Sequence, residues 1–492
     1  MKKCLIVIII LFFFQNIIYA EDELIWDYKN DAFIKELLEG KTSESEAAKQ
    51  KLLDEELSKS LDINLVYTNL AECLKTAVDN NYSIKTNESR KKQHYWEYKN
   101  ANAQFLPDFS YQYTLQYIDG KFLVGGVLLD KFDELPIQNI FQIGWTNFQL
   151  GTTVMENVRR KHTLKATYST LDYSRDEIIL QTTLTYYDLL SQKLQVDVYK
   201  TNLFDRLQQY KLVKAKYEAG IESKYYVTRA EVEVARAKQT YITAFNNLRL
   251  TQAKLANLMG IEVLEAVYPT ETSIQTRKLI EDKFTINSLY NMAMLTRDDI
   301  RAEKSKIEAL KAERSSNYFD FAPSTTATYA RSMVGTPDSG FGPNTTISLF
   351  ATIPLGKKMG IGTATTIKAY NARIEAEQYK LTNLTRSVKE SILGSYYNSK
   401  SALEKIESAK KEVEAADESV RIAIVRAKVG EGVFTDVIQA QTQKTLAQEL
   451  LIRTTTEYNK AQAQLLFDSG IISVSSILNG YKLPTIKATT KP

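Results

Sequence analysis

Few residues in this chain could do chemistry. His94 and His162 are the only histidines among 492 residues, and neither belongs to a ligand-spaced cluster. No Ser/His/Asp set, Cys/His pair or phosphate-binding Gly-rich loop is present. The Gly-x-Gly at Gly360–Gly362 follows no nucleotide-binding βαβ pattern and reads as a flexible strand-to-helix junction. Cys4 lies in the N-terminal leader, which leaves Cys73 alone and rules out an intramolecular disulfide in the mature chain. These residues point to no catalytic site, cofactor site or metal site. The abundant chemistry is amphipathic: 29 tyrosines, suited to large interfaces or to a membrane belt.

The elements that would position those tyrosines are unusually long. Only 9 prolines and 19 glycines punctuate the chain. The segment from Gly220 to Gly260 aligns without a gap on Gly430 to Gly470, matching Val227 to Val437, Ala230 to Ala440, Ala237 to Ala447 and Leu255 to Leu465. In the first copy, Val227, Ala230, Val234, Ala237, Tyr241, Ala244, Leu248, Leu255 and Leu258 follow alternating steps of three and four, a coiled-coil seam. Lys444, Thr454 and Asp468 interrupt the second. From Gly151 to Ala219 there is no proline or internal glycine, so one helix roughly 100 Å long is expected.

Each long helix follows a pair of strands. Phe109, Tyr111, Tyr113 and Tyr117 alternate with polar residues, as do Phe141, Ile143 and Trp145, and later Ile347 and Leu349. A loop with Gly120, Gly125, Gly126 and Pro136 is expected in the first pair and a GTPDSGFGPN loop in the second. Helices over Leu70–Gln104 and Ile286–Tyr318 precede the pairs.

The N-terminus MKKCLIVIIILFFFQNIIYA reads as a secretory leader cleaved after Ala20. The expected organisation is a signal peptide at 1–20, an extension at 21–62, a first repeat at 63–270, a linker at 271–286, a second repeat at 287–480 and a disordered tail at 481–492. Formal net charge is +4, two of it in the leader, which gives no nucleic-acid footprint. No apolar run after the leader is long enough to span a membrane, so a spanning structure must use strands. Four strands cannot close on themselves in lipid. Three chains would supply twelve, an even number suited to an outer-membrane barrel.

The duplicated G-x6-V-x2-A pattern, the Pro-started strand pairs and VGEGVFTDVIQAQ at 429–441 resemble the outer-membrane efflux protein family, the TolC-like channels, over roughly residues 65–480. The resemblance implies a mainly α protein: a long coiled-coil barrel continuous with a membrane β-barrel, formed by a homotrimer with an internal two-fold repeat. It implies a passive export duct in efflux or type I secretion, with its helices in the periplasm. Its partners would be a periplasmic adaptor, an inner-membrane transporter and outer-membrane lipid. No enzyme activity is implied. Ala219, Gly220, Ile221 and Ser223, then Val429, Gly430, Glu431 and Val433, match the adaptor-docking tips. Asp436 matches a constriction aspartate; Gln439 stands where the family often has a second, and Tyr226 takes the Asp436 position in the first half. Each has a plainer reading, with the glycines as helix caps and Asp436 as a solvated residue near a helix N-terminus. A periplasmic coiled-coil scaffold without a pore is the rival architecture.

Overall fold

The structure is a computed structural model that describes residues 65–481 except 116–117, 125–126, 135–136, 264–265, 282, 320–321, 337–339, 354–360, 430 and 433. The leader and the N-terminal extension therefore lie outside the described residues. So does the expected tail apart from Tyr481, whose amide donates to the Leu279 carbonyl at 2.8 Å.

Two helices dominate: α3 (Leu150–Glu218, 69 residues) and α7 (Ile361–Lys428, 68 residues). Each is followed by a returning helix, α4 (Lys224–Met259) and α8 (Phe434–Asp468). The seam read from spacing is largely the buried face. Leu203, Leu207 and Tyr210 of α3 pack on Ala230, Val234 and Ala237 of α4. Ala402 and Ile406 of α7 pack with Tyr458 of α8. Small residues on α4 let the two backbones approach, which a run of leucines would prevent.

The two leading helices are not single rods as expected. The first is broken at Asn81 into α1 (Leu70–Asn80) and α2 (Tyr82–Ala103); the second is broken at Arg297 into α5 (Ile286–Thr296) and α6 (Asp298–Asn317). Both break residues take extended backbone angles, and each side chain grips the end of a returning helix. Asn81 Nδ2 donates to the Leu258 carbonyl at 2.9 Å, and Arg297 Nη1 to the Asp468 carbonyl at 3.0 Å. These are carbonyls that a helix C-terminus leaves without an intrahelical donor. The helices α4 and α8 end in left-handed glycines, Gly260 (φ 65°) and Gly470 (φ 67°). The next residues, Ile261 and Ile471, donate back to Ala256 and Leu466, closing a Schellman motif at each end. A Cβ on Gly260 would lie 2.6 Å from the Asn80 carbonyl, and one on Gly470 2.7 Å from Arg297 Cγ and Thr296 Oγ1. Glycine is therefore required twice over at each joint.

The joints set the lateral order. Near the strands, α3 packs between α2 and α6, and α6 packs on α7. Away from the strands, α3 packs between α4 and α8, and α8 packs on α7. So α4 runs into the α1/α2 joint, and α8 into the α5/α6 joint, giving four rods side by side. The sheet repeats this order. Strands β2 (Asp108–Leu115), β5 (Ile137–Phe148), β7 (Ser324–Thr336) and β8 (Gly340–Thr352) pair antiparallel as β2-β5-β7-β8. Strand β2 follows α2, β5 precedes α3, β7 follows α6 and β8 precedes α7, one strand per rod.

Both expected loops are shorter than the sequence suggested. Strands β3 (Ile118–Val124) and β4 (Val127–Glu134) form a hairpin inside the first, starting at Ile118↔Glu134. This is the register of Leu115↔Ile137, so the hairpin prolongs the β2–β5 pair. Gly125 and Gly126 are the only residues between Val124 and Val127, a spacing typical of two-residue hairpin connections. Pairing of β7 with β8 likewise continues to Thr336↔Gly340, through residues expected in the second loop. The end of the first repeat, just before the expected linker, holds a strand: β6 (Ala266–Pro269) is buried and pairs in parallel with β1 (Leu65–Thr68). Around this pair, α1, α5 and the short α9 (Val474–Asn479) form a belt with the largest apolar core, including Leu74, Tyr186, Leu255, Leu289, Leu466 and Ile477.

Beside the second joint, burial pushes the Asp176 carboxyl up to about 7; the charges of Asp298 and Asp172 add to this, while Arg297 and Arg301 pull the other way. A carboxyl that holds its proton more tightly when folded contributes stability that is complete below about pH 4 and is lost as pH rises towards 7. Asp176→Asn should therefore raise the melting temperature at pH 8 and leave it nearly unchanged at pH 4. For the joints, Gly470→Ala and Gly220→Ala both incur a left-handed backbone penalty of about 1–2 kcal/mol. Only Gly470→Ala adds a collision, because a Cβ on Gly220 meets nothing within 4 Å. Thermal melts should show a clearly larger loss for Gly470→Ala.

Candidate functional site

Two regions hold the residues singled out by sequence: the helical tips and one face of the sheet. At the first tip α3 closes in another Schellman motif, with Gly220 (φ 72°) bonded to the Tyr217 carbonyl and Ile221 to that of Lys216. Its apolar residue behaves differently from those at the joints. Ile261 and Ile471 pack on the belt core, whereas Ile221 is 73 % exposed. Ala219, Gly220 and Ser223 are exposed beside it. On the second tip Val429 and Glu431 are exposed, and Glu431 donates its amide to the Arg426 carbonyl at 3.0 Å, the bond equivalent to Ile221–Lys216. Gly430 and Val433 lie outside the described residues.

Helices α3 and α7 both run from the sheet towards the tips, so the two turns occupy the same end. Asp436 and Gln439 are exposed on the first turns of α8. A negative charge there faces the partial positive charge of the helix N-terminus. Tyr226 is half-buried and meets Tyr225 edge-on, with ring centroids 5.4 Å apart. Within one chain, no contact joins Asp436 to Tyr226.

The boundary between the halves differs in kind from the seams within them. Helices α3 and α8 run antiparallel and are linked by a ladder of polar contacts. Lys460 Nζ donates to both Asp188 oxygens at 2.8 Å, and Tyr199 Oη to Glu449 at 2.8 Å. Arg206 Nη2 donates to Thr442 Oγ1 at 2.9 Å and to the Ile438 carbonyl at 3.2 Å, and Gln209 donates to Gln441. Arg206 is only 3 % exposed, and burial lowers its pKa. Spacing rules did not find this ladder, because its members sit off the apolar seam and look like surface residues in sequence.

On the sheet, strand register assigns the faces. Phe109 pairs with Ile143, Ile143 with Tyr329, and Tyr329 with Ile347; Trp145 pairs with Ala327, and Ala327 with Leu349. Tyr111 pairs with Phe141, and Tyr113 lies two residues further on. All the strand residues singled out by sequence except Tyr117, which lies outside the described residues, therefore share one face. That face is open: Phe109, Tyr111, Ile347 and Leu349 are all 65 % exposed or more. Phe109 and Phe141 stack edge-on at 4.6 Å, and Trp145 Nε1 donates to the Phe105 carbonyl at 3.1 Å. The opposite face bears Ser110, Gln112, Thr114, Gln142, Thr328 and Ser348. Among the described residues no packed layer covers the apolar face. Among the described residues no helix is long and apolar enough to cross a membrane, and no cluster of metal-ligating side chains occurs.

Residues 289–470 match the family model described as outer membrane efflux protein. No curated protein matches the chain by sequence. Among solved structures, the chain is similar to the Campylobacter jejuni CmeC outer membrane channel, at 15 % identity and TM-score 0.73, with 82 % of this chain and 85 % of that one covered. It is similar to the outer membrane protein VceC of Vibrio cholerae, at 17 % identity and TM-score 0.69, with 82 % and 96 % covered. It is also similar to the open state of the Neisseria gonorrhoeae MtrE outer membrane channel, at 15 % identity and TM-score 0.66, with 82 % and 89 % covered. The match to the outer membrane efflux protein model is thus confined to residues 289–470, and the fold of the chain is that of the solved outer-membrane channels.

Proposed function

We propose that this chain is one third of a homotrimeric outer-membrane duct that exports solutes passively from the periplasm. The observation that carries this reading is the pair of unlike open edges. Strand β2 and the α2/α4 rod form one edge of the wall; β8 and α7 form the other. Each edge strand offers a row of unpaired backbone groups, which lipid does not tolerate. Unlike edges join head to tail and close into a ring. Three copies bring twelve strands and twelve rods, and the internal two-fold repeat makes each chain contribute two similar units. Exposed apolar residues on both edge helices, such as Val232, Ile242 and Leu250 on α4 and Tyr397, Leu403 and Val425 on α7, supply the contacts between copies.

In this assembly the apolar face of the sheet meets lipid, the polar face lines the pore, and the helices stand in the periplasm. The tips would receive a periplasmic adaptor that connects to an inner-membrane transporter, with Ile221 and Val429 as exposed anchors. Asp436 would contribute a ring of carboxylates near the constriction, where Tyr226 adds bulk. Opening would separate the halves along the α3/α8 ladder. Its polar contacts can be exchanged for water, unlike the apolar seams that keep each half intact.

Protein extracted from membranes should size as a detergent-bound trimer and conduct ions in planar bilayers with a preference for cations. A detergent-free monomer with no conductance would defeat the reading. Asp436→Ala should reduce the cation preference; an unchanged preference would remove Asp436 from the gate. Arg206→Ala should raise conductance several-fold, and a smaller or equal conductance would show that the α3/α8 ladder does not hold the duct closed.

A further inference from the structure

Among the described residues of the four-stranded sheet, one charge stands on the apolar face. Arg331 of β7 pairs with Phe141 on β5 and Thr345 on β8, which puts it on the same face as Tyr329 and Met333. It is exposed, and no hydrogen bond or ion pair among the described residues engages its guanidinium. Diagonally across, Asn139 pairs with Tyr113 and Met333, and its Oδ1 accepts from Tyr111 Oη at 3.1 Å. That bond occupies the amide oxygen and leaves the amide N–H groups as donors. Arg331, Asn139 and the Thr345 hydroxyl thus form a donor cluster spread over three adjacent strands, with no carboxylate beside it.

Its height on the wall is informative. Below Arg331 the rows Phe109–Ile143–Tyr329–Ile347 and Trp145–Ala327–Leu349 are apolar. Seven residues separate Ser324 from Arg331, about 18 Å of height at a rise of about 3.3 Å per residue and a tilt of about 40°. Exposed Leu106, Leu150 and Tyr318 extend the apolar surface below the sheet. Together these approach the ~25 Å height of an outer-membrane apolar band. Arg331 then lies where these rows reach that height, and above it Leu115, Met333 and Phe341 carry the face on towards the hairpin ends.

We propose that Arg331, with Asn139 and Thr345, binds the phosphate of an anionic lipid headgroup at the outer interface, one per chain. The inference rests on the lipid-facing assignment of this wall. A planar guanidinium gives phosphate two parallel charged hydrogen bonds, and the tethered amide adds a third donor. The acyl chains would lie over Phe141, Tyr329 and Ile347.

Native mass spectrometry of the detergent-purified full-length assembly tests this, with diphosphoryl lipid A as the probe and the same lipid stripped of phosphate as the control. The wild type should retain up to three phosphorylated lipids and few of the stripped form. Arg331→Gln should lower retention about tenfold, as expected for loss of a charge-assisted bond. Asn139→Ala should lower it less, and neither change should alter trimer mass. Equal retention by Arg331→Gln, or equal binding of the stripped lipid, overturns the site. Full displacement by millimolar inorganic phosphate overturns its assignment to lipid. A wild type that needs no detergent and forms no trimer fails one step earlier, at the wall itself.

Discussion

Backbone groups at a sheet edge must find partners, and no apolar solvent supplies them. In this chain β2 and β8 both end the sheet, and no helix or loop among the described residues covers either edge. The exposed faces of β2 and β8 compound the demand, because a single uncovered layer has no core of its own. The wall is thus incomplete in a directional way: its two sides differ, so in the proposed ring a copy would satisfy them by adding to each rather than by pairing face to face.

For that incompleteness to yield a tube rather than a fibre, the helices must follow the strands in the same lateral order. The joints at Asn81 and Arg297 provide this. Each leading helix must step aside from the belt before it can align with a strand, and each returning helix must stop where the step occurs. Without the break, α1 and α2 would be one rod colliding with the end of α4. The glycine that ends α4 or α8 lets the backbone of the break approach to contact distance. The side chain of the break residue then satisfies a terminal carbonyl. One local geometry so arranges α2, α3, α4, α6, α7 and α8 into four parallel tracks.

Much of this was legible in the sequence, and the reasons are physical. Long helices without proline announce themselves, and Val234 or Leu248 fall on the buried seam because the 3.6-residue period admits only one apolar stripe. Alternation at Phe109, Tyr111 and Tyr113 fixed a face in the same way. The breaks were not legible, because Asn81 and Arg297 interrupt no periodicity and only cap signals, Asn81 itself and the acidic Asp298–Asp299, mark new helix starts. The prolonged hairpin was hidden because Gly120, Gly125 and Gly126 look like loop residues whether or not the flanking backbone pairs. The β1–β6 pair joins segments about two hundred residues apart, and spacing rules carry no information at that range. The ladder between α3 and α8 escaped for a further reason: Asp188, Glu449 and Lys460 become partners only once the two halves are placed side by side.

That placement also explains why apolar and polar contacts are distributed as they are. Helices within a half are joined by a short connection, at Gly220 or between Lys428 and Phe434, so they meet at high effective concentration and a seam rich in alanine suffices. Along the chain the halves are connected only by the segment that passes through the belt, remote from the tips, and they meet elsewhere through the sheet, the α3/α6 packing and the α3/α8 ladder. Contacts between the halves must specify a register over a long distance, and directional polar pairs are better at this than interchangeable apolar ones. The cost is a lower net stability per contact, since each pair gives up hydration that it regains on separation. In the proposed duct, such a wall would part between the halves before it parted within them, and first at the tips, where the constraint from sheet and belt is most remote.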